Sequence, residues 1–260
     1  MFDALSLTEE LATLRDDVAP AVRVVETEQE FETMPTEWLF ELALITDDLH
    51  PLAHPDTWVP AEALPAARRT TERDPTIGMP DDGSVSWTRQ TDPSMVFVKP
   101  RASGLPETFR DLLIGEALIE VSGDYPETPV CFFQDAYRSV QEAVGSPTVA
   151  FQLAAALRTG WIGRETRDVF QGWESSYPAL YDGWVDAGER LEGRVNELSA
   201  LMAADELSIA DATELACNAI KHDIPLPAPF AAIDVDAYTE QGAPFARRWI
   251  EETAVDALQQ

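Results

Sequence analysis

Between residues 178 and 204, Leu180, Trp184, Ala187, Leu191, Val195, Leu198 and Met202 recur at spacings of three and four. That period marks one face of an α-helix, whereas a half-buried strand alternates with a period of two. If continuous, the helix is about 40 Å long at 1.5 Å per residue, and an apolar stripe of that length must be covered by other elements. The same period recurs along the chain. Residues 6–18 carry Leu7, Leu11, Leu14 and Val18 behind a Ser6/Glu9 capping-box pattern. Residues 36–49 place Trp38, Leu39, Leu42 and Ile45 inward, and Pro51 ends that run near His50. Further helices are expected over 106–121, 129–144, 147–158, 164–173, 209–222, 234–240 and 244–258. Ser146 before Pro147 and Ser208 before Asp211 are their cleanest start signals. The stretch DIPLPAPF at 223–230 stops the run before the last two helices.

Only a small part of the chain reads as strand. The runs VSWTR at 85–89 and SMVFVKP at 94–100 suit a hairpin joined by QTDP, and Val22 to Val25 offers a third strand. Residues 51–83 hold six prolines and read as an irregular connector with one short helix near 61–72. The expected fold is mainly α, a helical bundle with a small β-hairpin near residues 85–99. It is expected to form a single helical domain over 1–260, interrupted by the Pro-rich connector at 51–83.

Charge sets the expected milieu. The chain has 47 acidic against 18 basic side chains, a formal net charge of −29, and only two lysines, Lys99 and Lys221. At low salt this charge repels itself and weakens the compact state. At molar salt the Debye length shrinks to about 3 Å and the repulsion is nearly silenced. Scarce Lys with abundant Asp and Glu matches the cytoplasm of a salt-in halophile. The acidity then adapts the chain to its solvent, and it does not itself define a basic partner. Nucleic-acid binding, which needs a basic surface, is disfavoured. No run approaches the ~18–20 apolar residues of a membrane span. The N-terminus MFDALSLTEE lacks the basic stretch of a signal peptide, so the cytoplasm is the expected location and no membrane partner is expected. Cys131 and Cys217 sit in apolar contexts without metal-like spacing and read as buried thiols.

The segments FVKPRASGLPETFRDLLIGEALIE, QLAAALRTGW, LACNAIKH and APFAAIDVDAY lie in the C-terminal two thirds of the chain. In these, the chain resembles an uncharacterised protein family of halophilic archaea with no assigned activity, mainly over residues 94–258. The resemblance implies a context and carries over no catalytic residue.

Five places could carry chemistry, each set against a plainer role. Residues 96–110 pass from a β-like run through Lys99, Pro100 and Arg101 to a loop at Ser103 and Gly104, with Pro106 opening a helix. Cations beside a helix start suit a phosphate or carboxylate, although the phosphate-loop and dinucleotide spacings are absent. The plainer role is a connector whose cations pair with surface carboxylates. Glu116 and Glu120 share a stripe of the 106–121 helix and could act as a catalytic acid/base pair. Alternatively, bundle arginines such as Arg158, Arg167, Arg190 or Arg194 neutralise them. The stretch TDDLHPLAHPDTW gathers His50 and His54 with Asp47, Asp48 and Asp56, but Pro51 keeps the histidines off a shared helical face. Glu214, Asn218 and His222 align on the 209–222 helix, where Lys221 and His222 suit a helix C-terminus. Finally, Trp161 and Trp173 with Arg158, Arg164 and Arg167 could form an interaction surface, or serve as core knobs and ion pairs.

No cofactor and no metal are expected. The leading functional expectation is a non-enzymatic interaction or regulatory module with a protein partner. The alternative is an enzyme or sensor that binds a small phosphorylated or carboxylated ligand at the 99–106 loop.

Overall fold

The computed structural model describes residues 1–52, 73–80, 82–129 and 137–254. The short helix expected near 61–72 lies outside these residues, as do His54, Asp56 and Cys131. The chain divides into two compact units. Within the described residues, the first takes 1–52, 73–127 and 172–184, and the second takes 128–171 and 185–254.

The first unit is built on a mixed sheet. Strands β1 (Phe2–Ala4), β2 (Arg23–Thr27), β4 (Val85–Thr88) and β6 (Met95–Val98) lie in the order β1-β2-β6-β4. β4 and β6 pair antiparallel, with Val85 opposite Val98 and Thr88 opposite Met95. The sheet extends beyond that pair, because β2 joins β6 in parallel and β1 joins β2 antiparallel. All four residues of β6 are buried, as suits a central strand covered on both faces. A second, two-stranded sheet pairs β3 (Asp48–Leu49) with β5 (Thr91–Asp92).

Alternation along β6 sorts its side chains between the two faces. Met95 and Phe97 enter a cluster with Val25, Phe31, Met34, Trp38, Leu42 and Ile77. Helix α2 (Thr36–Leu42) delivers Trp38 and Leu42 to it. Phe31 packs edge-on against both Trp38 and Phe97. Each fully buried aromatic or aliphatic side chain here is worth about 1.5–3 kcal/mol. On the other face lies α3 (Glu107–Ser122), where Trp87, opposite Val96, donates its indole N–H to Glu120 at 2.9 Å. Helix α1 (Glu9–Val18) packs beside α3. Its N-cap is Thr8 and not Ser6, because the chain ahead of it pairs as β1. Thr8 Oγ1 donates to Asp111 Oδ2 across to α3. The turn α6 (Trp173–Ser176) leads to Tyr177, whose hydroxyl donates to Asp17 at 2.6 Å.

The second unit is helical. It holds α4 (Tyr137–Val144), α5 (Pro147–Gln171), most of α7 (Pro178–Ala203), α8 (Ile209–Ile220), α9 (Asp236–Gln241) and α10 (Ala243–Trp249). The helices expected at 147–158 and 164–173 are one continuous α5. The two glycines between them, Gly160 and Gly163, let α8 approach closely. A Cβ on Gly160 would stand 2.9 Å from Cys217 Sγ, and one on Gly163 would stand 3.0 Å from Lys221 Cβ. Leu153, Ala154, Leu157, Ala212, Ala216, Cys217 and Ile220 fill that contact. Burial pushes the Cys217 thiol well above its ordinary range, so it packs as a small apolar group. Helix α8 starts as its sequence predicts, with Ser208 Oγ accepting from the Asp211 backbone N–H at 3.1 Å.

Candidate functional site

Lys99 continues the alternation of β6 by one residue, which places it on the face of Met95 and Phe97. Its side chain is fully buried. The ammonium donates to the Asp82 carbonyl at 2.8 Å and to Asp82 Oδ2 at 3.3 Å, and it stands 4.6 Å from the Phe31 ring centroid. Burial lowers its pKa, and the Asp82 carboxylate opposes that shift. The backbone N–H of Lys99 donates to Ser84. Lys99 thus ties the end of β6 to residues 82–84.

Arg101, Ser103 and Gly104 lie on an exposed 3-10 turn over Pro100–Gly104. Glu30 grips this turn with both oxygens. One accepts the Arg101 backbone N–H and the other accepts Arg101 Nε at 2.5 Å. Ser103 Oγ donates to the Pro100 carbonyl at 2.8 Å. The Arg101–Glu30 pair is nearly half exposed on both sides.

Glu116 and Glu120 share α3 but occupy different surroundings. Glu116 is buried in its packed face. Glu120 is half-buried and holds the Trp87 indole, an aromatic partner from the sheet where an arginine was the expected alternative. Of the arginines considered for these glutamates, Arg167 and Arg190 pair elsewhere, with Asp223 and Asp234 and with Asp186.

The residues expected to form an interaction surface divide between the two units. Trp173 belongs to the first and is 2% exposed, edge-on to Tyr177. Arg158, Trp161, Arg164 and Arg167 lie on α5 in the second. Arg158 is buried, and Trp161 is half-buried with its indole donating to the Thr239 carbonyl at 3.3 Å. Arg164 spans Asp234 and Asp236. Arg167 binds Asp223 and Asp234 and caps α8 through the Ile220 carbonyl at 2.8 Å. These ion pairs clamp α5, the end of α8 and the start of α9 together.

Of the His/Asp stretch, His50 approaches the carbonyl of Pro51 at 3.1 Å, and Asp48 accepts from the Leu49 backbone N–H. Asn218 donates to the Glu214 carbonyl one turn back. Among the described residues, no group of three or more His, Cys, Asp or Glu is arranged to hold a metal ion.

A different surface stands out. Phe40 is 73% exposed, Leu44 84% and Ile45 36%. The run expected as one helix over 36–49 ends at Leu42, because the chain beyond it turns and pairs as β3 with β5. The backbone N–H of Ala43 still closes on Leu39, and that of Ile45 on Leu42, so Phe40 and Leu44 stay one turn apart on one side. Ile45, expected inward, is about one third exposed. Exposed Glu37 and Glu41 flank the pair at helical spacing, and exposed Asp47 and Asp48 follow. Arg23 lies at the edge with its guanidinium held by the Ile45 carbonyl. The signal for this patch is the density of WLFELALI at 38–45. One helix face can bury Trp38 and Leu42, and the surplus apolar residues must face away from it.

A model of a family of unknown function, DUF7089, matches residues 1–258. The chain belongs to the DUF7089 family. Comparison with curated proteins and with solved structures finds no match. The DUF7089 match covers the whole of both units' described residues, so the N-terminal sheet and the Phe40 patch belong to the family region as much as the helices after residue 94 do. Among the described residues, no helix is long and apolar enough to cross a membrane.

Proposed function

We propose that this protein is a non-enzymatic interaction module that docks a protein partner through the exposed end of α2. The observation that carries this reading is the solvent exposure of Phe40, Leu44 and Ile45 in a chain otherwise rich in surface carboxylates. Contiguous apolar exposure rimmed by polar residues marks interaction sites, and a protruding aromatic is a typical binding anchor. The cations picked out by sequence support the same reading, since Lys99, Arg101, Arg164 and Arg167 are each engaged by the chain's own carboxylates. The test compares the wild type with a Phe40→Ser/Leu44→Ser variant, each immobilised in 2 M KCl and exposed to extract of the source cells. A polypeptide held by the wild type and lost from the variant is then purified and its Kd measured with both. A loss of tenfold or more in affinity is expected. Equal affinity for the two proteins sinks the reading.

A second reading keeps a small carboxylated or phosphorylated ligand at the 99–104 turn, with Glu116 or Glu120 as acid/base. It is favoured by one observation: the Arg101 amide and guanidinium already receive a carboxylate, that of Glu30.

A further inference from the structure

We draw no further inference here: the strongest candidate, the side-chain cluster at the end of β4 in which the buried Glu127 carboxylate accepts from Thr88 Oγ1, the Arg89 backbone N–H and Gln90 Nε2, rests only on a pKa raised by burial, since these partners are the fold's own donors.

Discussion

At the scale of single residues, the same charge does different work according to burial. Lys99 and Arg101 are two positions apart, yet one is enclosed with Asp82 and the other shares an exposed turn with Glu30. Removing one partner of a buried pair strands the other and costs about 3–5 kcal/mol. An exposed pair contributes about 0.2–1 kcal/mol. Lys99 is therefore committed to the fold, whereas the grip of Glu30 on Arg101 is weak enough for a competing anion to displace. This sets the test of the ligand reading. Glu30→Ala should keep the fold at a cost of at most about 1 kcal/mol and free the Arg101 amide and guanidinium. Titration with inorganic phosphate and with succinate, followed by backbone NMR shifts at residues 100–104, should then show saturable binding that Arg101→Ala removes. If Glu30→Ala folds and neither anion shifts those resonances, the 99–104 turn binds no such ligand.

At the scale of elements, close approach explains what periodicity missed. Glycine in a helix interior costs about 1 kcal/mol against alanine, and Gly160 and Gly163 lie in the gap between the helices expected at 147–158 and 164–173. In the fold they sit where α5 meets α8, and Cys217 and Lys221 occupy the space their side chains would take. Gly160→Ala gains propensity but forces a methyl to 2.9 Å from Cys217 Sγ. Overpacking of this kind costs about 1–3 kcal/mol, which exceeds the propensity gain. We expect a net loss of stability in denaturant melts, partly restored by Cys217→Ala in the same chain. A stabilised Gly160→Ala protein would mean that α5 and α8 do not pack as described. The clamp formed by Arg164 and Arg167 on Asp223, Asp234 and Asp236 secures the same helices just beyond the contact of Gly163 with Lys221.

At the scale of the whole molecule, net charge dominates. With −29 charges on 260 residues, repulsion among surface carboxylates is long-ranged at low salt and confined to about 3 Å at 1 M. Ion pairs within the chain use equal numbers of each sign and leave this excess of 29 carboxylates unchanged. The melting midpoint should therefore rise steeply between 0.2 and 2 M KCl, by well over the 2–4 °C that 1 kcal/mol supplies in a chain of this size. A midpoint that is flat or falls over that range would refute the salt-adaptation reading of the composition.

Much of this was legible in one dimension. The apolar stripe at 180–202, the Ser208 cap and the strand-forming runs near 85 and 95 are local properties, and each has its expected counterpart in the fold. The surplus of apolar residues at 38–45 was also present in the sequence, although its consequence was not. Other features depended on contacts between residues far apart. The parallel pairing of β2 with β6, the burial of Lys99 under Phe31, the pairing of Glu120 with Trp87 and the turning out of Phe40 are of that kind. A period says which side of an element is apolar, but only the packed partner decides whether that side, or the residues left over from it, meets protein or water. For the candidate site the division is sharpest. Residue types alone singled out cations that the fold then pairs internally, and the most exposed large apolar side chains among the described residues, Phe40 and Leu44, became visible only where α2 stops and the chain turns into β3.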